Sequence, residues 1–175
     1  MIRRFEAFQP IVEAGAWVDE TALVMGDVTL GPDSSVWPMS VVRGDVNFIR
    51  IGARTNIQDG SMLHVTHDSD YAPGGHPLVI GDEVTVGHRV TLHACRIGNR
   101  CLIGMGAIVL DGAVVPDGTL IGAGSLVPPN RELEGGYLWL GSPVRRVRAL
   151  TAAEKAYFRY SAEHYVRLKN RHAGS

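Results

Sequence analysis

The sequence is short of most features that would announce a function. It has two cysteines, Cys95 and Cys101. Two thiols build neither a disulfide framework nor a cysteine-rich metal site. Charge is almost balanced, with 17 Lys and Arg against 18 Asp and Glu and a formal net charge of −1. A nucleic-acid-binding surface would show itself as a basic excess, so no nucleic-acid partner is expected. No apolar run is long enough to span a bilayer, and residues 1–6 lack the apolar stretch of a signal peptide. A reducing, cytoplasmic setting without a membrane partner is the resulting expectation. At 175 residues the chain has room for one domain with a real core, 1–175, and too little for two.

What the chain has in excess is glycine, 21 residues, spread through a sequence rich in Val and Ile. The aliphatics keep a beat of six. Val12, Val18, Val24, Leu30, Val36 and Val42 are evenly spaced, then Ile51, Ile57 and Leu63, then Ile80, Val86 and Leu92. The run closes with Ile97, Ile103, Val109, Val115, Ile121 and Val127, so all eighteen positions are aliphatic. The following residue is often glycine (Gly31, Gly52, Gly81, Gly87, Gly98, Gly104, Gly122), and the residue two before is usually small, Cys95 and Cys101 included. Two columns locked to one period are the hexapeptide signature of a parallel β-helix. Each hexad is a short strand and a bend, with the aliphatic inward, the small residue beside a corner and glycine relieving the turn. Three hexads per coil give about six coils over 11–130, stacked about 4.8 Å apart. Both cysteines read as small buried thiols.

The beat slips three times, by nine residues from Val42 to Ile51, seventeen from Leu63 to Ile80, and five from Leu92 to Ile97. If each slip still spans one side of the triangle, Val42, Leu63 and Leu92 share a face. Val36, Ile57 and Val86 then share the preceding one. The slips surround the histidines, and repeats tolerate insertions where a loop is useful. After Pro128-Pro129 a return segment, 131–150, leads to a capping box at Thr151 and Glu154. A helix is expected over 151–172, packed along the β-helix through Ala152, Ala156, Tyr157, Tyr160, His164 and Leu168.

On these faces Arg43, His64 and His93 each follow the inward aliphatic in successive coils, so they should stack. Asp59 and His88 share a column on the preceding face. Within one chain His88 points away from the other two histidines, and a neighbouring copy must supply it. A cyclic trimer sets the one face against the other and brings Arg43 opposite Asp59. Three imidazoles leave a fourth position open, as in catalytic zinc sites. Fe(II) and Co(II) suit the same nitrogen donors.

Val36 to Asp45, Asn56 to His64, and Gly87-His88 with His93 resemble the γ-class carbonic anhydrases and their γ-carbonic-anhydrase-like bacterial relatives. The resemblance extends over nearly the whole chain. It implies a left-handed β-helix, a homotrimer, and zinc held by His64, His88 and His93, one of them donated across a subunit contact. It also implies a lyase in which metal-bound hydroxide attacks carbon dioxide to give bicarbonate, with Gln58 orienting hydroxide or substrate. Arg43, Asp45 and Asp59 match interface ion-pair residues, for which simple interface adhesion is the plainer reading.

One departure stands out. Archetypal members carry glutamates near the site as proton shuttles, whereas Asp45 here is followed by Val46 and Asn47. Loop 65–77 offers His67 in that role, histidine titrating near neutrality, although a solvated polar loop explains it as well. Rival readings are a hexapeptide acyltransferase with one catalytic histidine, a metal-dependent thioesterase, and a non-enzymatic assembly subunit that keeps the frame.

Overall fold

The computed structural model describes residues 1–174. The chain is a parallel β-solenoid of triangular section followed by one long helix. Taken in chain order, the first face carries Ile51, Ile80, Ile97 and Val115 inward, the second Val36, Ile57, Val86, Ile103 and Ile121, and the third Val42, Leu63, Leu92, Val109 and Val127. Each of these is the Cα partner of its neighbour on the same face. The three slips therefore each span one side, and the aliphatic column never loses register. The first and third faces are joined into one sheet by two strands, Leu23–Leu30 and Val41–Ile51, that run around their common corner.

From Val24 to Val127 the inward aliphatics are almost wholly shielded from water, most at 0% exposure. Full burial of such a side chain is worth about 1.5–3 kcal/mol, which makes this column the main source of stability. Val12 and Val18 differ because they lie at the open first coil, where Val12 is 36% exposed. Ile2–Arg3 pairs with the start of Leu23–Leu30 and partly covers that end.

The expected role of glycine is only half met. None of the glycines directly after the aliphatics takes a positive φ. They are needed because rungs approach closely: a Cβ on Gly104 would lie 2.5 Å from the Ala123 nitrogen. The corners turn two residues later, where Met39, Arg54, Glu83, Arg89 and Arg100 hold φ between 51° and 60°. These side chains accept a left-handed backbone that glycine would adopt freely.

The segment after Pro129 does more than return. Tyr137–Gly141 pairs in parallel with Leu120–Ile121 and adds a further rung to the second face. Val144–Ala149 then pairs antiparallel and closes that edge. The helix, Ala152–Ala173, starts at the Thr151–Glu154 capping box and lies along the second face. Its buried residues are Phe158, Ser161, Ala162 and Lys169, so the packed side is rotated from the expected stripe. Tyr157 and Tyr160 are 50% and 57% exposed, and Tyr160 stacks on His164 instead. The helix end is fixed by Tyr165 against Trp37, His172 against Trp17 and Trp37, and the Lys169–Asp33 ion pair.

Candidate metal centre

His64 and His93 end the strands Met62–His64 and Thr91–His93, and their Cα atoms are direct partners. Parallel pairing points the two side chains the same way. His64 Nδ1 and His93 Nε2 come to 3.1 Å, with ring centroids 5.1 Å apart. Each ring is held from behind by a carboxylate. Asp45 Oδ1 lies 3.0 Å from His64 Nε2, and Asp111 Oδ1 lies 2.6 Å from His93 Nδ1.

The carboxylates are themselves fixed. Arg43 donates to Asp45 Oδ2 at 2.5 Å, and the Thr66 hydroxyl donates to Asp111. Burial works against ionising Asp45, but hydrogen bonds from Arg43 and His64 and the Arg43 charge hold it below the usual carboxylate range. At Asp111 burial is likewise outweighed, by hydrogen bonds from Thr66 and His93. Burial pushes His64 below the ordinary imidazole value; Asp45 offsets this in part while the Arg43 charge adds to it. His64 is therefore neutral at neutral pH.

An ionised carboxylate only accepts hydrogen bonds, and a neutral imidazole has one N–H. Where both rings are neutral, Asp45 and Asp111 place the protons on His64 Nε2 and His93 Nδ1. The nitrogens that face each other both present lone pairs, which repel unless a cation or a proton lies between them. Two donors on one tetrahedral zinc, each 2.0–2.1 Å from it, sit about 3.3 Å apart, so the observed pair suits a borderline divalent ion. Carboxylate-backed histidines are the usual outer support of such ions.

His88 lies on the second face and donates through Nδ1 to Asp59 Oδ2 at 2.9 Å, leaving Nε2 as its other nitrogen. Both side chains are nearly half exposed, at 45% and 47%. Among the described residues of one chain, no three His, Cys, Asp or Glu side chains form a metal-holding group. The structure brings His64, His93, Arg43 and Asp45 together, and His88 with Asp59, as two separate clusters. Within the chain Arg43 pairs with Asp45 rather than with Asp59. Gln58 is buried next to the second cluster and donates through Nε2 to Asn56 Oδ1 at 3.1 Å. His67 is exposed on its loop, where residues Thr66 and His76 bridge the two arms.

Asp111 and Thr66 were not singled out from the sequence. Asp111 follows Val109 by two residues on the same face as His93, one coil further on, so its position was readable from the register. Thr66 reaches it from the seventeen-residue slip, whose path no periodicity describes.

Residues 94–129 match the family described as bacterial transferase hexapeptide (six repeats). The chain is 56% identical over 170 residues to the Escherichia coli protein YrdA, covering 97% of this chain and 92% of that one. It is 46% identical over 147 residues to a probable carbonic anhydrase of Methanocaldococcus jannaschii, covering 84% and 88%. It is 44% identical over 164 residues to the mitochondrial gamma carbonic anhydrase 1 of Arabidopsis thaliana, covering 94% of this chain but 59% of that protein. Among solved structures, a hexapeptide transferase family protein from Anaplasma phagocytophilum superposes with a TM-score of 0.89 at 37% identity, over 97% and 96% of the two chains. With this repeat, this histidine geometry and these relatives, the chain belongs to the family of γ-class carbonic anhydrases and γ-carbonic-anhydrase-like hexapeptide-repeat proteins.

Proposed function

We propose that the protein is a carbonic anhydrase that reversibly hydrates carbon dioxide to bicarbonate. It acts as a homotrimer with a zinc centre at each subunit contact, where His64 and His93 of one protomer meet His88 of the next. The observation that carries this reading is the facing pair of imidazole nitrogens, each ring oriented by its own carboxylate. Supporting it are the separation of His88 from that pair and the apolar side chains around both clusters. Met39, Met62, Met105 and Ile108 are 70%, 44%, 58% and 39% exposed, an unusual concentration for surface that stays in water.

When bound, the ion acts as a Lewis acid that makes water nucleophilic near neutral pH. The chain does the rest. Asp45 and Asp111 keep protons on the outer nitrogens, so the inner ones remain free to donate electron pairs. Arg43 and Thr66 keep those carboxylates ionised and in place. Gln58 presents its carboxamide to the space beside His88, where it orients water or substrate. His67, exposed on its loop, takes protons between the site and bulk solvent.

The test is elemental analysis and light scattering on protein purified without chelator, followed by stopped-flow hydration. Close to one zinc per chain, a trimeric mass and chelator-sensitive hydration are expected. A metal-free monomer, or acyl transfer that ignores chelator, sinks the proposal and favours the transferase reading.

A further inference from the structure

Between the second face and the C-terminal helix runs a groove of about 410 Å³, with Gln58 and His88 at one end and Thr85 and Ser161 in its wall. A line of buried polar side chains joins these residues. Gln58 Nε2 donates to Asn56 Oδ1 at 3.1 Å, Asn56 Nδ2 donates to Thr85 Oγ1 at 3.2 Å, and Thr85 Oγ1 meets Ser161 Oγ at 2.8 Å. All four residues are buried, with exposures of 5%, 1%, 6% and 4% along the line. Ser161 belongs to the helix, 76 residues away in sequence from Thr85.

The line has a direction, set where Asn56 meets the backbone. Asn56 Nδ2 also faces the Val84 carbonyl at 3.4 Å. A carbonyl only accepts, so the amide nitrogen of Asn56 must lie on that side. Its oxygen is then turned towards Gln58, and Gln58 must answer with its NH2. The Gln58 atom left for the groove is Oε1, an acceptor. At the other end Thr85 Oγ1 accepts from Asn56 and meets Ser161 Oγ, a contact in which either hydroxyl can donate.

We infer that Ser161 and Thr85 are positioning residues: through Thr85 and Asn56 the C-terminal helix steadies the Gln58 carboxamide that faces the reacting space. The inference rests on the proposed role of Gln58 beside His88, and it deepens that role. It gives the helix a part in the chemistry beyond packing, since the contact with Thr85 is made by the Ser161 hydroxyl oxygen itself.

The test uses the full-length, metal-loaded protein and the Ser161→Ala, Ser161→Thr and Thr85→Val variants. Solvent exchange of the Gln58 side-chain NH2 is followed by NMR, alongside metal content, mass and hydration kinetics. In Ser161→Ala and Thr85→Val the NH2 is expected to exchange roughly three- to tenfold faster, the range one buried hydrogen bond is worth. Hydration should lose a similar factor in kcat with KM and zinc unchanged. Ser161→Thr should restore both. Unchanged exchange in Ser161→Ala, or no restoration by Ser161→Thr, overturns the inference. Faster exchange in a protein whose wild type hydrates no carbon dioxide upholds the positioning and refutes the reaction instead.

Discussion

Two stretches of the same solenoid behave differently. Residues 97–127 keep six hexads without a break, carry no histidine, and bury their aliphatics completely or nearly so. Residues 42–93 contain two of the slips and end at the third, and they hold every histidine of the candidate centre. The regular stretch supplies stiffness and register. The interrupted one spends its extra residues on reach: the nine-residue slip carries Asp45 back to His64, and the seventeen-residue slip brings Thr66 to Asp111. Asp111 itself stands in the regular stretch. The quiet half therefore buttresses the active half from one coil away.

The sharpest way to break this division is His93→Ala. Stoichiometric zinc and hydration should both disappear while trimer mass and circular dichroism stay as they were, because the ring lies outside the packed column. A variant that retains one zinc per chain overturns the ligand assignment. The converse change is Gly104→Ala in the regular stretch. It forces a methyl against the next rung's backbone and should lower stability by about 1–3 kcal/mol or more, read as a lower urea midpoint. An unchanged midpoint would mean that the rungs can move apart.

Asp111→Asn asks whether the two stretches cooperate. An asparagine in that place no longer fixes the His93 tautomer, and zinc affinity should fall about 10- to 100-fold by competition with a chelating dye. Equal affinity would reduce Asp111 to a bystander. Thiol labelling probes the regular stretch without mutation. Burial pushes Cys101 up to about 12 and raises Cys95 as well, so a thiol reagent at pH 8 should modify neither until the chain unfolds.

The smallest effect is expected at the helix start, remote from both stretches. Thr151→Ala removes one side of the capping box and should cost about 1 kcal/mol, seen in thermal unfolding. Hydrogen bonds from Arg148 and from the Thr151 backbone bring Glu154 down to about 2, from 4.5 in the unfolded chain. The stability this pair lends is complete above pH 4.5 and is lost as pH falls towards 2. In Glu154→Gln that part of the acid sensitivity should vanish.

Most of the solenoid was legible because each inward aliphatic repeats at a fixed interval, and the interruptions turned out to preserve the face of every later hexad. His64 and His93 could be stacked on that basis, and His88 with Asp59. What could not be read were features decided by space rather than period. Left-handed corners at Met39, Arg89 and Arg100 have no residue signature, since the types found there are not those that favour such a backbone. The helix was assigned the wrong side because tyrosines fit both a packed and an exposed stripe. Tyr137–Gly141 escaped notice as a rung because its segment falls outside the beat. Asn56, Thr85 and Ser161 are polar residues of unremarkable type, and only their meeting gives them a role.

The antiparallel strand Val144–Ala149 has a consequence for the fate of the molecule at high concentration. A stack of parallel rungs is a template for endless growth, since the last rung offers its free edge to the first rung of any other copy. Here that edge is taken by a strand of the opposite polarity bearing Arg145, Arg146 and Arg148. An incoming parallel rung would meet reversed hydrogen-bonding geometry there. Rung-on-rung growth is thereby blocked on the second face by the chain itself.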